Sequence, residues 1–334
     1  MNRKVFFDAR WINSGGIGRF CSEIMQTQLI FTSNKIEGSL DEALSPLDMF
    51  RISKITLGNQ LYVSPGYNGP LFGTKRAIIT VHDLMHLNFE QYSSLKNKIY
   101  YNCIVKRIVR NAPLVFTVSE FTKNEIAKWA KVDKSKIVVL YNGIDSEKFH
   151  CDVVPIVRER PYFLYVGNNK SHKNLERLIQ AFHHSKLYDK CDLLLSCRSN
   201  ELLDNLVRDL DLSKSVQFLN GIEEVELPSY YKGALATVVV SLYEGFCIPV
   251  VESMSVGTPV LTSNITAMPE IAENSALLAD PYSIEDISSN LSLLCNDQVL
   301  RDELKSKGLA RVKEFSWEKT RYSFEQAICK NINS

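Results

Sequence analysis

Two hydrophobic patterns alternate along the chain. Short, continuous apolar runs follow one another, and between them apolar residues recur at every third or fourth position. A continuous run is typical of a strand buried on both faces, and the wider spacing is typical of an amphipathic helix. The predicted strands are Val5–Asp8, Ala77–Val81, Leu114–Val118, Ile137–Leu140, Tyr162–Val166, Leu193–Ser196, Val216–Phe218, Thr237–Val240 and Val260–Thr262. The predicted helices include a stretch from Arg19, Leu95–Asn111, Leu175–His184 and Leu300–Phe315.

This alternation predicts the fold class. Buried strands that alternate with helices form parallel sheets covered on both faces, so we expect an α/β protein. The length of 334 residues suits two domains of ordinary size. We therefore predict two doubly wound, Rossmann-like domains with a cleft between them, residues 1–152 and 153–317, joined near Phe149–Pro161. Residues 31–75 are less regular and are predicted to form loops, with one strand near Leu61–Val63.

Composition excludes several classes of protein. Hydrophobic residues make up 45% of the chain and charged residues 23%, as in soluble globular proteins. No apolar run reaches the ~18–20 residues of a membrane span, and the N-terminus lacks the pattern of a signal peptide. The eight cysteines are scattered without zinc-ligand spacing, so we expect reduced thiols and a cytoplasmic protein.

Charge is unevenly distributed along the chain. The net charge is +6 over residues 1–152 and −5 over residues 153–334, although it is +1 overall. A basic half predicts an anionic partner for that half alone. No recognised nucleic-acid-binding motif is found, so we expect no nucleic acid partner. The anionic cytoplasmic face of a membrane is the better interpretation.

A glycine-rich loop follows the first predicted strand. Residues 14–19 read Ser-Gly-Gly-Ile-Gly-Arg and open a helix. Glycines there let backbone N–H groups approach a phosphate, and the helix N-terminus favours its negative charge. A tight strand–helix turn explains the same residues equally well. The dinucleotide-binding fingerprint is not met, because Cys21 stands where a third glycine is required.

A basic loop follows the strand that opens the second half. Lys170, His172 and Lys173 precede a predicted helix, and Lys173 lies at its start, where a cation opposes the helix dipole. Such a cluster is expected if an anionic ligand lies between these groups and the helix. Three solvated surface side chains are the alternative.

Two acidic residues flank the start of a later helix. Glu244 interrupts an apolar stretch after a predicted strand, and Pro249 suits the first turn of the helix that follows. Glu252 is expected in the opening turn of that helix, where an acid also complements the dipole. Carboxylates at a helix mouth suit sugar hydroxyls, which donate hydrogen bonds.

A fourth loop contains His82-Asp83 at the end of a predicted strand, where a packed histidine and a functional histidine are about equally well supported.

Taken in order, these segments resemble the large family-4 retaining glycosyltransferases of GT-B fold over nearly the whole chain. Glu244–Glu252 is similar to the family's E-x7-E motif. Tyr165–Leu175 is similar to its phosphate loop, especially in bacterial mannosyltransferases of surface polysaccharide and O-antigen assembly. Further similar segments are Gly15–Gly18, His82–Asp83, Ser119–Thr122, Tyr141–Asp145 and Phe315–Trp317. The last of these precedes a helix that crosses back onto the first domain in GT-B proteins, which would add residues 318–334 to that domain.

The resemblance implies roles for residues of the second domain. Glu244 would accept hydrogen bonds from hydroxyls of the donor sugar, and Glu252 would bind the ribose. Lys173 would neutralise the diphosphate. Backbone contacts to the sugar would come from Gly245, Phe246 and Cys247.

Other implied roles concern the first domain and one departure from the family pattern. Gly15 and Gly16 form the glycine loop, with Gly16 contacting the diphosphate, and His82 would lie close to the transferred sugar and the acceptor. Many members have an arginine at the position of Asn168, so the second diphosphate cation is open. Lys170 or Arg19 would be the replacement.

The resemblance also implies the reaction, a retaining transfer of a hexose from a nucleotide-sugar. GDP-mannose is the favoured donor and a UDP-sugar the alternative. The acceptor would be a saccharide or a lipid-linked saccharide in polysaccharide or lipopolysaccharide synthesis. No cofactor is expected, because the nucleotide-sugar is a substrate, and no metal, because cations and a helix N-terminus would stabilise the leaving phosphate. The D-x-D pattern at Asp209–Asp211 is interpreted as solvated surface.

Three other functions fit parts of this sequence. A non-catalytic nucleotide-sugar-binding module would share the fold, but Glu244, Glu252, Lys173 and His82 are all present. A nicotinamide-dependent oxidoreductase would need the third glycine and an acidic residue ~20 positions further on. A nucleotide-sugar epimerase of GT-B fold would leave the basic helix Leu95–Asn111 unexplained.

That basic helix carries the membrane hypothesis. Its cations are Lys96, Lys106, Arg107 and Arg110, and the opposite side carries Tyr101, Ile104, Val105 and Ile108. A basic amphipathic helix in the positively charged half could rest on anionic lipid and present a lipid-linked acceptor. An ordinary surface helix with its apolar face in the core is the alternative.

Overall fold

The chain folds into two compact units. The structure is a computed structural model that describes residues 4–58, 60–89 and 94–332. The first unit comprises Met1–Gly143 together with Trp317–Ser334, and the second comprises Ile144–Ser316. The units therefore meet along the chain at Gly143/Ile144, nine residues before the predicted boundary at 152/153.

A parallel sheet forms the centre of the first unit. Its strands lie in the order β2-β1-β3-β4-β5-β6, and every pair is parallel. Helices cover both faces, so the central strands are buried and are apolar except at their last residues, Asp8, Ser64, Thr80 and Thr117. The strands are β1 (Val5–Asp8), β2 (Asn34–Ile36), β3 (Leu61–Ser64), β4 (Ala77–Thr80), β5 (Val115–Thr117) and β6 (Ile137–Val139).

The helices of the first unit include the last helix of the chain. They are α1 (Gly15–Met25), α2 (Gln28–Phe31), α3 (Leu40–Ala43), α4 (Asp48–Leu57), α5 (Met85–Asn88), α6 (Leu95–Tyr100), α7 (Lys106–Asn111), α8 (Glu120–Ala130) and α16 (Trp317–Ile332). A π-helical turn, Tyr101–Val105, joins α6 and α7. α16 packs against this unit through Phe324, whose ring lies 5.1 Å from that of Phe116.

The second unit repeats the architecture. Its strands lie in the order β12-β11-β10-β7-β8-β9, again all parallel. They are β7 (Tyr162–Tyr165), β8 (Asp192–Leu195), β9 (Val216–Phe218), β10 (Ala236–Val239), β11 (Val260–Ser263) and β12 (Leu277–Ala279). The helices are α9 (Leu175–His184), α10 (Glu201–Asp209), α11 (Leu227–Gly233), α12 (Ile248–Ser255), α13 (Met268–Ala272), α14 (Ile284–Asn296) and α15 (Gln298–Arg311).

These sheets confirm the predicted fold class of two doubly wound, Rossmann-like α/β units. In the second unit the chain winds outward from β7 in both directions, so the loops after β7 and β10 flank the point where the strand order reverses. Ligands of doubly wound sheets bind at this position. In the first unit the corresponding loops follow β1 and β3.

The prediction of loops over residues 31–75 was wrong. This segment contains β2, α3 and α4 as well as the expected strand β3. The buried side of α4 carries Asp48, Ser53 and Thr56 beside Ile52, so its inward face does not show as an apolar stripe. No helix among the described residues is both long and apolar enough to cross a membrane.

Candidate functional site

In the second unit, the loop after β7 is anchored to its neighbours by one asparagine. A short 3-10 helix, Ser171–Lys173, leads into Asn174, which has a left-handed backbone (φ 63°) and precedes α9. The Asn174 amide donates to the carbonyl oxygens of Val240 (2.9 Å) and Pro281 (2.7 Å). Asparagine tolerates the left-handed conformation better than most residues. The anchoring role of Asn174 was not predicted, although the asparagine itself was a sequence signal for it. The anchor places Lys173 beside the loop that follows β10.

The predicted diphosphate cation and the predicted sugar carboxylate meet there. Lys173 Nζ lies 2.6 Å from Glu244 Oε1, and the Ser241 hydroxyl donates to the same oxygen at 2.8 Å. Both charged side chains keep some exposure, 15% for Lys173 and 13% for Glu244. The two groups neutralise each other, and both remain within reach of a ligand from solvent.

His172 does not add a third cation to this loop. Its side chain is buried, and burial is the main reason that its pKa is lowered to about 4. The positive charges of Lys173 and Lys170 lower the pKa further, and the negative charge of Glu244 raises it. The imidazole is therefore neutral at pH 7. The predicted cluster of three basic side chains reduces to Lys170, which is exposed, and Lys173.

The loop after β10 turns sharply into α12. Cys247 caps that helix with a left-handed backbone (φ 78°), a conformation that non-glycine residues adopt rarely and that occurs often at functional sites. The Glu244 N–H donates to the Thr266 hydroxyl, and the Phe246 ring packs edge-on against Phe315 at 5.6 Å. Burial raises the pKa of the Cys247 thiol, which is therefore protonated, and the backbone contact predicted for Cys247 stays a prediction. Gly245 lies between Glu244 and Phe246 and is buried.

Glu252 lies deeper than predicted. It is the fifth residue of α12 rather than part of the opening turn, so the helix dipole does not explain it. Its side chain is 4% exposed, and Oε2 accepts a hydrogen bond from the Tyr231 hydroxyl at 2.9 Å. The predicted contact with a ribose stays a prediction.

A cavity of about 490 Å³ opens at the carboxyl ends of β7, β8 and β9. Asn168, the departure from the family pattern, lines it, and the Asn168 side chain accepts a hydrogen bond from the Lys170 N–H at 3.1 Å. The other lining residues are Val166, Gly167, Asn169, Ser196, Cys197, Arg198, Asn220, Gly221, Ile222 and Leu227. Only its phosphate-loop side was predicted from the sequence, because the remaining residues form no motif.

In the first unit, the glycine loop opens α1 as predicted. Gly15 has a left-handed backbone (φ +52°), and the Ser14 side chain makes no capping hydrogen bond with this helix. A Cβ at Gly18 would lie 2.4 Å from the Ile12 carbonyl oxygen, so glycine is required for the close packing of helix on loop. These features agree both with a phosphate-binding loop and with a tight strand–helix turn. The contact predicted for Gly16 stays a prediction.

His82 lies against the same helix. Its Nε2 is 2.8 Å from the Pro65 carbonyl oxygen, and its ring packs edge-on against Phe20 of α1 at 5.2 Å. A carbonyl oxygen only accepts, so Nε2 carries the proton and Nδ1 holds a lone pair in the neutral ring. Burial lowers the pKa of His82, although the Pro65 hydrogen bond and the charge of Asp83 oppose the shift.

A buried charge cluster lies beside the glycine loop and was not predicted. Arg10 is enclosed between Asp8 and Asp48, at 2.7 and 2.8 Å. Asp8 also accepts hydrogen bonds from Tyr62 (2.7 Å) and Asn68 (2.9 Å). Arg10 and Asp8 lie within the first strand and turn, but Asp48 comes from α4, in the segment predicted to be loop.

The helix predicted over Leu95–Asn111 is present as α6, the π-helical turn and α7. Two of its four cations are engaged within the unit, since Arg110 donates to the Ala130 carbonyl oxygen (2.8 Å) and Lys106 lies 5.5 Å from the Trp129 ring. Lys96 and Arg107 are exposed. The apolar side is in the core, with Tyr101, Val105 and Ile108 buried and Ile104 partly buried.

No group of three or more acidic, histidine or cysteine side chains with metal-binding geometry occurs among residues 4–58, 60–89 and 94–332. The Asp209–Asp211 pattern lies at the end of α10. Both aspartates are exposed.

Comparison with known proteins gives consistent results for both units. Residues 146–311 match the family model "Glycosyl transferases group 1", and residues 60–148 match "Glycosyltransferase Family 4". The chain is 29% identical to O-antigen chain mannosyltransferase B of Escherichia coli over 269 residues, which is 75% of this chain and 71% of that protein. It is 34% identical to O-antigen chain mannosyltransferase RfbU of Salmonella typhimurium over 230 residues, 68% of this chain and 62% of that protein.

The fold also matches solved structures. Sucrose-phosphate synthase from Thermosynechococcus elongatus superposes with a TM-score of 0.78, covering 99% of each chain at 18% sequence identity. At this identity the likeness concerns the fold.

Proposed function

This chain belongs to the group 1 and Family 4 glycosyltransferases, and we propose that within them it transfers a mannosyl residue from GDP-mannose with retention of configuration. The proposed acceptor is a saccharide or a lipid-linked saccharide of surface polysaccharide synthesis. Support for mannose comes from the two O-antigen mannosyltransferases to which the chain is similar. The observation that carries the proposal is the pairing of Lys173 with Glu244 at the switch point of the second sheet.

This pair has the chemistry that a nucleotide-sugar needs. A diphosphate requires a cation, and sugar hydroxyls require acceptors, so each partner of the pair matches a different part of the donor. When the donor binds, Lys173 would move its hydrogen bond to a phosphate oxygen, and Glu244 would accept from a sugar hydroxyl. Neither group would be left without a partner in a partly buried site, where an uncompensated charge is costly.

The proposed reaction needs no other chemical group. The bond between the anomeric carbon and the diphosphate oxygen breaks, and the charge that develops on that oxygen is stabilised by Lys173. The acceptor hydroxyl attacks from the same face and forms the new glycosidic bond. Its proton passes to an oxygen of the leaving diphosphate, so atoms and charge balance and the configuration is retained.

For the first unit, we assign a binding role to His82. The Nε2–H of the neutral ring is directed at Pro65, and no described residue donates to the Nδ1 lone pair, which can therefore accept a hydrogen bond from a substrate hydroxyl. The low pKa keeps the ring neutral at pH 7, so this accepting role is maintained there.

Peripheral contact with a membrane is part of the proposal for a lipid-linked acceptor. The outward side of α6 exposes Leu95 (74%) and Ile99 (54%) beside Lys96, and apolar side chains next to cations suit an anionic lipid surface. Because Lys106 and Arg110 have partners within the unit, we place the contact at the α6 end of the helix. Charge reversal at Lys96 should reduce binding to vesicles that contain anionic lipid, and unchanged binding would remove this part of the proposal.

The decisive experiment is donor turnover with EDTA present. Purified protein is incubated with GDP-, UDP- and ADP-sugars, with and without a bacterial lipid extract as acceptor, and free nucleotide and glycosylated product are measured. We expect release from GDP-mannose that depends on the extract and falls at least ~100-fold in Glu244→Gln.

The matched control is Glu303→Gln. Glu303 pairs with Lys307 at the same 2.6 Å distance but on the exposed surface of α15, so its loss should leave turnover unchanged. Tight nucleotide binding without turnover of any donor would instead identify a non-catalytic binding module.

A further inference from the structure

The cavity beside the phosphate loop differs in character from the Lys173–Glu244 pair. Aliphatic side chains of Val166, Ile222 and Leu227 line it, and its volume of about 490 Å³ lies within the ~300–1,000 Å³ typical of small-molecule pockets. Its position over β7–β9 lies on the other side of the switch point from β10, whose loop carries Glu244. A nucleotide with its diphosphate at Lys173 and its sugar at Glu244 would direct its base into this cavity.

One charged side chain lines this otherwise uncharged cavity. Arg198 follows β8, and its backbone oxygen accepts a hydrogen bond from the Asn169 amide (3.0 Å), which ties it to the phosphate loop. Its side chain is exposed, and no residue in the described part of the chain forms a hydrogen bond or ion pair with its guanidinium. The donors of this guanidinium are therefore available to a ligand.

Another part of the cavity lining is a tight turn after β9. Asn220 (φ 58°) and Gly221 (φ +113°) both have positive φ, and the Gly221 N–H donates to the Ser196 carbonyl oxygen at 2.6 Å. The turn draws the chain back towards β8, so a planar ring in the cavity would lie between the two loops. A Cβ at Gly221 would meet nothing within 4 Å, so the space next to it is open.

From this arrangement we propose that Arg198 selects a guanine base by donating two hydrogen bonds to O6 and N7. A guanidinium presents two parallel N–H groups, and guanine presents two acceptors side by side on one edge, so the two match in a bidentate pair. Uracil offers a single acceptor on the comparable edge, and adenine places an amino donor there. The inference rests on the proposed use of a nucleotide-sugar and names the residue that decides which nucleotide binds.

Calorimetric titration with GDP, UDP and 7-deaza-GDP tests the proposal. The 7-deaza analogue keeps every group of GDP except the N7 acceptor, so it removes one of the two hydrogen bonds without altering the protein. We expect the wild type to bind GDP roughly 10- to 100-fold more tightly than UDP, and to bind 7-deaza-GDP roughly tenfold more weakly than GDP.

Arg198→Gln and Arg198→Lys complete the test. Arg198→Gln should lower affinity for GDP roughly 10- to 100-fold, leave UDP nearly unchanged and lose no further affinity with 7-deaza-GDP. Arg198→Lys keeps the charge and donors for O6 and N7 but not the parallel fork, so its affinity for GDP should lie between those of the wild type and Arg198→Gln. Arg208→Gln is the matched control, since Arg208 is an exposed arginine on α10 outside the cavity.

The outcomes separate this inference from the proposed function. Equal losses for GDP and UDP in Arg198→Gln would overturn it, since they would place the guanidinium on the shared ribose diphosphate. A wild type that prefers UDP, or binds 7-deaza-GDP as well as GDP, would overturn it without any variant. Arg198-dependent selection of GDP in a protein that transfers no sugar would uphold it and refute the transferase proposal.

Discussion

Two charged clusters lie beyond the carboxyl ends of central strands, one in each unit. In the first unit, Arg10 is enclosed between Asp8 and Asp48, and the side chains of Arg10 and Asp8 have no solvent exposure. In the second unit, Lys173 pairs with Glu244, and both keep a small exposed area. The clusters occupy corresponding places in two similar sheets, but both carboxylates of the first are hydrogen-bonded on each oxygen, whereas Glu244 in the second has one oxygen to which no described residue donates.

The difference is clearest in the hydrogen bonds of the carboxylates. Asp8 receives five, from the Arg10 backbone and guanidinium, Tyr62 and Asn68. Glu244 receives two, both on Oε1, and among the described residues none reaches Oε2. A carboxylate that is enclosed and hydrogen-bonded on both oxygens holds the backbone in place, whereas one with an unused oxygen near solvent can exchange partners with a substrate. We therefore assign stability to the first cluster and substrate binding to the second.

The largest expected effect is on stability, from Arg10→Met. This change leaves two carboxylates buried without their cation, and removal of one partner from a buried ion pair costs about 3–5 kcal/mol. The free energy of unfolding of the first unit, measured by urea denaturation with fluorescence detection, should fall by this amount.

Arg51→Met is the control for that prediction. Arg51 faces Glu42 at 3.9 Å with both side chains more than half exposed, and such surface pairs contribute about 0–1 kcal/mol. A loss in Arg10→Met no larger than that in Arg51→Met would show that the Arg10 cluster does not support the fold as we assign it.

The next effect is on turnover, from Lys173→Met. Loss of the cation that stabilises the leaving diphosphate should lower kcat about 100- to 1,000-fold. The unfolding free energy should fall by less than in Arg10→Met, because Glu244 keeps the Ser241 hydrogen bond and 13% exposure to water, whereas Asp8 is fully enclosed. Nucleotide release from GDP-mannose and urea denaturation of the same preparation measure the two quantities.

Combining Lys173→Met with Glu244→Gln sharpens the result. Groups that bind one substrate as a unit are non-additive, so the double variant should lose little more activity than Lys173→Met alone. Fully additive losses would show that the two side chains act independently, against the partner exchange proposed here.

The fold was predictable because its strands are buried on both faces. Val5–Asp8 and Val216–Phe218 have the predicted ends, and α9 begins and ends at the predicted residues. The elements that were missed lack this pattern. β2 has a single buried residue, Ile36, and the inward face of α4 mixes polar with apolar side chains.

Residues of the candidate site could be predicted where the role of the side chain can be inferred from a single loop. Lys173 and Glu244 were each identified from their own loops, but that they touch depends on Asn174 bonding across two neighbouring loops. Asp48 and Arg198 could not be identified from the sequence. The role of Asp48 depends on its ion pair with Arg10, and that of Arg198 depends on a cavity formed with residues distant in sequence. His172 was misassigned as a cation because sequence does not show that it is buried.

The smallest expected effect is on the pH dependence of stability, through His172. Its pKa is about 4 in the folded protein against an ordinary value of 6.5, so between these values the unfolded chain binds a proton that the folded chain does not. Stability should therefore be constant above about pH 6.5 and decrease as the pH falls towards 4. Urea midpoints measured from pH 7.5 to 5 should show a shallower decrease in His172→Gln than in wild type. His184→Gln, at an exposed histidine, should follow wild type.

The pKa of His172, measured by NMR, also tests whether the Lys173–Glu244 pair is formed in solution. Burial contributes most to the low pKa of His172, Lys173 lowers it further, and Glu244 raises it. Lys173→Met should therefore raise the pKa of His172, whereas Glu244→Gln should lower it, as followed by the ring proton shifts in NMR spectra. Opposite signs require both charges to lie close to the imidazole at the same time. Shifts of the same sign, or none, would mean that the two charges do not sit together beside His172, and the contrast with the enclosed Arg10 cluster would lose its basis.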